Sequence, residues 1–295
     1  LFDNFSSAKE VFEEVNDSLS RNLTNIIFNG PQAELTLTKN AQPAIMCVSM
    51  AIMKILKKDF NLDLNDHASY FAGHSLGEYT ALAAANSLSL SDTAKILYFR
   101  GEKMQEASQK FKTAMAAFLG ADIIKINEIL MKSLSSNEVC NIANYNTQSQ
   151  IVLSGDEVTI DKAIKLAGEI NIRAVKLQVS APFHSSYMKN AAKALQEKLQ
   201  KVSFNIPITQ IVSNFKALPF ENNIEDIIDS LIKQTYSTVK WYESIMFIKN
   251  NDINQFIEIG YGSTLNSIIK RIDKENLVQS IYKCSDIEKL AKEIS

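Results

Sequence analysis

"YFAGHSLGEYTAL", Tyr70–Leu82, begins as a short apolar run, stops at Gly73, places one serine between two glycines, and resumes with helical spacing. Gly73-His74-Ser75-Leu76-Gly77 fits the G-x-S-x-G pattern, in which a sharp strand-to-helix turn pushes a serine side chain out of the backbone. The glycines on either side are expected to let the backbone crowd together. The amide of Leu76 then lies at a helix N-terminus, where a free N–H and the positive end of the dipole can hold an oxyanion. The same letters could also spell an ordinary turn that happens to carry serine. Ser75 becomes a nucleophile only if a base is placed beside it.

A serine hydroxyl needs a positioned base at neutral pH, most often histidine. The chain has three histidines. His74 adjoins Ser75 on the tight turn, so its ring should point away from the hydroxyl. His67 lies before the strand, at its far end. His184 remains, in "APFHSSYM", and is the expected base. No acid is obvious as a third member, but a backbone carbonyl can orient the ring, because Nδ1–H needs only an acceptor.

Around this stretch, helical periodicity runs through Ala8–Leu19, Pro43–Leu56 and Thr93–Met104. Short β-type runs intervene: "SYFAG", "AMAAFLG", "VCNIANY", "QIVLSG", "RAVKLQV", "TQIVSN" and "NQFIEIG". Helices alternating with apolar strands predict an α/β protein with a mostly parallel, buried sheet. Thr113–Val179 has its own order, strand, helix, two strands, helix, strand, which is the βαββαβ ferredoxin-like unit. We therefore expect a discontinuous large subdomain, 1–112 and 180–295, with a small inserted subdomain at 113–179. A ligand is expected in the cleft between them.

Composition narrows the partners. With 31 basic and 33 acidic residues the formal charge is −2, so there is no global field of the kind nucleic-acid binders use. The three cysteines, Cys47, Cys140 and Cys284, form no CxxC pair, and a disulfide framework or cysteine zinc site is not expected. No run approaches the roughly 18 apolar residues of a membrane span, and no leader pattern opens the chain, so a cytoplasmic protein free of membranes is expected. The sequence begins without methionine in the helical pattern "FSSAKEVFEEVNDSL", which raises the expectation of a segment upstream.

Taken together, these stretches resemble the malonyl-CoA:acyl carrier protein transacylases, within the acyltransferase superfamily of fatty-acid and polyketide synthesis. The resemblance covers nearly the whole chain. It rests on "QPAIMCVSMAI" at Gln42, "AGHSLGEYTAL" around Ser75, "YFRGEKMQEA" at Arg100, "IANYNTQSQIVLSG" at Asn144, "APFHSSYM" at His184, "TVKWYESI" at Trp241 and "FIEIGYGSTLNSIIKRI" at Gly260, in the family's order. It implies a hydrolase-like large subdomain carrying a Ser75–His184 dyad. It further implies a malonyl-serine intermediate, with malonyl-CoA and acyl carrier protein as partners. No resident cofactor is implied, since phosphopantetheine arrives on the substrates, and a monomer is expected.

The resemblance assigns Arg100 to the free carboxylate of malonyl, which a guanidinium can grip bidentately. On its own, Arg100 beside Lys95, Glu102 and Lys103 would read as a solvated helix face. Gln42, Met104, Phe183 and Asn146 are likewise implied at the substrate, Phe183 being typical of malonyl-using members. Lys240, just before Trp241, is implied to offer the backbone carbonyl that receives the histidine.

Beside Lys240, which stands where Gln or Arg is frequent, two further features depart from the family's pattern. Its opening strand and Gly-Gln-Gly-x-Gln loop, source of a second oxyanion donor, are not among these residues, and Gly260-Tyr261-Gly262 stands where Gly-Pro-Gly is usual. An acidic carrier protein would meet a basic patch, either Lys270, Arg271 and Lys274 or Lys54, Lys57 and Lys58, although each could equally be a solvated face. Two other functions use the same residues. A serine thioesterase or esterase shares the elbow, and a noncatalytic carrier-binding relic would follow if the oxyanion loop were truly absent.

Overall fold

The computed structural model describes residues 1–109, 111–179 and 181–294. Helices α1 (Ser6–Leu19), α2 (Leu23–Asn29), α3 (Gln32–Leu35) and α4 (Thr38–Asp59) lead into strand β1 (Tyr70–Phe71), followed by α5 (Leu76–Ala84) and α6 (Leu90–Ser108). Next come β2 (Thr113–Leu119), α7 (Ile123–Ser133), β3 (Cys140–Thr147), β4 (Gln150–Asp156), α8 (Glu157–Glu169) and β5 (Arg173–Lys176). The chain ends with α9 (Lys189–Leu199), β6 (Gln210–Ile211), α10 (Ile224–Tyr236), α11 (Trp241–Asn250), β7 (Gln255–Ile259), α12 (Thr264–Ile272), β8 (Leu277–Ile281) and α13 (Cys284–Ile294).

The α/β expectation holds. The parallel part consists of two pairs, β1 with β6 and β7 with β8. The strand order β3-β4-β2-β5, antiparallel throughout, is that of a ferredoxin-like sheet. Its alternating burial fits: one face of β2 sends Ala114, Ala116 and Phe118 into a core with Ile126, Ile129, Ile160 and Ala163 from α7 and α8. The expected boundaries at Ser180 and Ser295 fall outside the described residues. Strand β8 was not foreseen, because "LVQSI" is short and carries no turn signal that separates it from a loop.

The small sheet is joined to the rest by backbone. Val239 N donates to Ala143 O at 2.9 Å and Tyr145 N to Val239 O at 3.0 Å, so the segment before α11 extends the ladder of β3. This pins Asn146, at the end of β3, against the turn that follows β1.

The larger core is built by α1, α4 and α6, whose apolar faces bury Val11, Phe12, Met46, Ile52, Ile55, Ile96 and Leu97. Gly101 sets how closely two of these helices approach. A Cβ there would lie 2.5 Å from Thr38 O, at the start of α4. The missing side chain thus lets the first turns of α4 rest on α6, one residue from Arg100, and brings Gln42 alongside.

Gly101→Ala should therefore overpack this contact and destabilise the protein by about 1–3 kcal/mol, read as a lower urea midpoint at unchanged m-value. An unchanged midpoint would show that α4 can move aside freely.

Candidate active site

The chain enters the site from β1 and turns at Gly73, where an added Cβ would sit 2.0 Å from the Gly77 backbone. Only the first glycine is demanded by space, since a Cβ on Gly77 would meet nothing within 4 Å. The expected symmetric role of the two glycines is corrected accordingly.

Ser75 adopts φ 53° and ψ −105°, outside the regions comfortable for a residue with a Cβ. A serine at a helix N-cap ordinarily folds its hydroxyl back onto the first turn. Here the side chain makes no capping bond, and Oγ lies 2.8 Å from His184 Nε2. The unusual backbone is what turns a capping residue outward. His184 is itself at φ 57°, so both members of the pair sit in the left-handed region.

Asn214, after β6, secures the turn from both sides. Its Oδ1 accepts from Ser75 N at 2.7 Å and its Nδ2 donates to Gly73 O at 2.8 Å. Gln234, near the end of α10, donates from Nε2 to Ser75 O at 2.8 Å. The amide of Leu76, first in α5, belongs to the group of helix N–H donors without an intrahelical acceptor.

His184 is only 3 % exposed. Its Nδ1 donates to the backbone carbonyl of Gln234 at 2.8 Å, leaving Nε2 bare to accept the serine proton. Lys240 does not take this role as expected. Its carbonyl accepts instead from Ser244, in the first turn of α11. Any residue can offer a carbonyl, so the side chains of this region could not reveal which one faced the ring. Burial first, and then the neighbouring Arg100 charge, lower the His184 pKa to about 3. The ring is therefore neutral at physiological pH, the form a base requires.

Arg100 is 2 % exposed and lies beside Ser75. Nη1 donates to Gln42 Oε1 at 2.7 Å, and Nη2 to Ser75 Oγ at 3.1 Å and Gln234 Oε1 at 2.9 Å. Nε makes no hydrogen bond, and among the described residues Arg100 forms no salt bridge. The guanidinium is thus no part of a solvated face. A cation removed from water without an ionic partner is costly unless an anion joins it.

The remaining expected residues surround this centre. Met104 Sδ accepts from Gln42 Nε2 at 3.8 Å, and Phe183 packs with Met104 and Met188 in an apolar cluster beside the dyad. Asn146 Oδ1 lies 3.0 Å from His74 Nε2, so its carboxamide is engaged with the ring that points away from Ser75. His67 is exposed, away from the site.

The residues missed were Asn214, Gln234 and Glu78. Glu78 is 0 % exposed, and burial pushes its carboxyl up to about 7. One signal was present in Ser75-x-x-Glu78, the spelling of a capping box. Neither half caps the helix here: Ser75 Oγ turns to His184, while Glu78 accepts from Asn214 N and Gln234 Nε2.

At the surface, Lys54 and Lys58 pair with Glu10 and Lys57 pairs with Asp63. Lys270, Arg271 and Lys274 form no ion pair among the described residues. Tyr261, in the Gly-Tyr-Gly turn, is 82 % exposed, while Gly260 lies against Ser49 of α4. No helix of the described residues is long and apolar enough to cross a membrane, and they contain no cluster of metal-ligating side chains.

Comparison with known proteins gives a consistent picture. The family described as "Acyl transferase domain" matches residues 3–293. The malonyl CoA-acyl carrier protein transacylase of Bacillus subtilis (strain 168) is 37% identical over 275 residues, 93% of this chain and 85% of that protein. The crystal structure of an acyl-carrier-protein-S-malonyltransferase from Bartonella henselae superposes with a TM-score of 0.95 at 40% identity, covering 99% of this chain and 92% of the other. A type II PKS malonyl-transacylase, solved in complex with its acyl-carrier protein, has a TM-score of 0.93 at 28% identity, over 99% and 93% of the two chains.

Observing the His184 ring by ¹⁵N NMR should show the neutral Nδ1–H tautomer persisting from pH 8 to pH 5. A midpoint at the ordinary value of about 6.5 would contradict the buried environment described for it.

Proposed function

The chain belongs to the acyl transferase domain family, and from that premise we infer that it moves malonyl from malonyl-CoA to the phosphopantetheine thiol of acyl carrier protein through an ester on Ser75. The observation that carries this reading is the buried Arg100 guanidinium, without a salt-bridge partner among the described residues and 3.1 Å from the Ser75 hydroxyl. An acyl group ending in a carboxylate supplies the direct ion-pair partner that Arg100 lacks among the described residues, where the Glu78 carboxyl is linked to it only through Gln234.

In the first half-reaction Ser75 Oγ bonds to the thioester carbonyl carbon as His184 Nε2 takes its proton. The Leu76 amide donates to the oxyanion, and the Gln234 carbonyl stabilises the imidazolium through Nδ1–H. The carbon–sulfur bond then breaks, and the proton on Nε2 passes to the departing sulfur, releasing coenzyme A as a thiol. In the second half-reaction the carrier thiol gives its proton to His184 and attacks the ester, and Ser75 recovers its proton. Arg100 holds the free carboxylate throughout, assisted by Gln42, while Met104 and Phe183 form the apolar wall. No resident cofactor takes part.

Residues 1–112 and 180–295 then act as the catalytic subdomain and 113–179 as a smaller one closing the site. We place the enzyme in the cytoplasm as a monomer, supplying fatty-acid synthesis. Lys270, Arg271 and Lys274 are the preferred contact for an acidic carrier, because each lysine of the other basic cluster is already paired with Glu10 or Asp63. A serine thioesterase would use the same dyad with water as acceptor, yet it has no need of a buried cation beside the nucleophile. A noncatalytic relic would have no reason to retain the strained serine.

Malonyl-CoA without acceptor should add one malonyl mass, mapped to the Ser75 peptide and absent in Ser75→Ala. Rapid loss of the adduct to water, outpacing transfer to carrier protein, would favour the thioesterase instead.

Arg100→Ala should lower kcat/KM for malonyl transfer by roughly ten- to a hundredfold, the worth of a hydrogen bond to a charged group, with a smaller effect on acetyl. Equal losses for both acyl groups would remove Arg100 from carboxylate recognition.

A further inference from the structure

Glu78 is fully buried in the first turn of α5, yet it caps nothing and forms no salt bridge among the described residues. Its Oε1 accepts from Asn214 N at 3.0 Å and its Oε2 from Gln234 Nε2 at 2.6 Å. Gln234 is also fully buried, and every polar atom of its side chain is engaged. The other Nε2 hydrogen goes to Ser75 O, and Oε1 receives Arg100 Nη2. The backbone carbonyl of the same residue receives His184 Nδ1. One residue therefore touches the nucleophile, the base and the arginine.

We propose that Glu78 is a positioning residue that fixes the hydrogen-bond polarity of the Gln234 carboxamide, and thereby the placement of Arg100 for an acyl group bearing a carboxylate. This deepens the acyl-transfer reading and rests on it. Both Glu78 oxygens face N–H donors and therefore act as acceptors, and a guanidinium can only donate. Between them a carboxamide has one orientation, with nitrogen toward Glu78 and oxygen toward Arg100.

Replacing Glu78 by glutamine keeps the shape and removes this certainty. If the new amide nitrogen faces Gln234 Nε2, two donors oppose each other. If Gln234 rotates to relieve that, its nitrogen faces the guanidinium and its oxygen faces Ser75 O. If instead the new side chain rotates, its nitrogen meets Asn214 N–H. Each arrangement leaves a buried mismatch, of the kind that costs more than a missing contact.

The test compares kcat/KM for malonyl-CoA and acetyl-CoA, with carrier protein as acceptor, in wild type, Glu78→Gln, Arg100→Ala and the double variant. Glu78→Gln should lower the malonyl-to-acetyl ratio by about tenfold, within the range of coupling between neighbouring residues. In the Arg100→Ala background it should leave the ratio unchanged. A parallel fall for both acyl groups, or the same change of ratio without Arg100, would assign Glu78 to packing alone and overturn the proposal.

Gln234→Met offers a second route that does not depend on the folding of Glu78→Gln, since it deletes the carboxamide and keeps the carbonyl for His184. It should lose the same selectivity, and a wild-type ratio in this variant would equally overturn the proposal. If Arg100→Ala itself left the ratio untouched, the underlying reading of Arg100 would fall. A ratio that depends on Arg100 but not on Glu78 or the Gln234 carboxamide would refute the Glu78 assignment alone.

Discussion

The site depends on one backbone conformation, that of Ser75. Holding a residue with a Cβ at φ 53° and ψ −105° costs on the order of 1–3 kcal/mol, and an isolated turn would relax into a normal N-cap with its hydroxyl on the helix. Hydrogen bonds to the Ser75 N–H and C=O and to Gly73 O oppose that relaxation. Each contributes about 0.5–1.5 kcal/mol net, so together they match the strain. The donors and acceptors come from Asn214 and Gln234, more than a hundred residues away along the chain. The elbow is thus a property of the folded body, which must be complete before Ser75 can face His184.

The packing around the turn follows from that need. Gly101 lets α4 rest on α6, which puts Gln42 against Arg100. Val239 pairs alongside β3 in a parallel bridge, and at the end of that strand Asn146 meets His74, whose ring is held clear of the nucleophile. Helix α10 delivers Gln234 to the centre, with its carbonyl and carboxamide aimed at different partners. Burial then sets the chemistry, lowering His184 so that it is a free base and leaving Arg100 a buried cation with no direct ion pair among the described residues.

Much of this was legible in the amino-acid order. The elbow has a local grammar, a strand, a glycine and a helix, and His184 follows from having few histidines to choose among. The ferredoxin-like order was readable because its helices and apolar strands differ in period. Arg100 was identified by resemblance, whereas its neighbours alone suggested a solvated face. Asn214, Gln234 and Glu78 stayed hidden for a physical reason: single polar side chains gain meaning only from long-range partners, and no spacing along the chain encodes those. The misassigned carbonyl of Lys240 illustrates the same limit, because a backbone acceptor leaves no mark on residue type. Glu78 was visible only as part of a capping pattern that the fold puts to another use.

The central claim is that the long-range clamp on the turn makes Ser75 a nucleophile. Its most direct measurement is the single-turnover rate of Ser75 acylation by saturating malonyl-CoA in Asn214→Leu, compared with wild type at a temperature where both are folded by circular dichroism. A displaced nucleophile should react about a hundredfold more slowly, the scale set by misplacements near 1 Å. Acylation at the wild-type rate would show that the turn holds its conformation without Asn214, and would contradict the account.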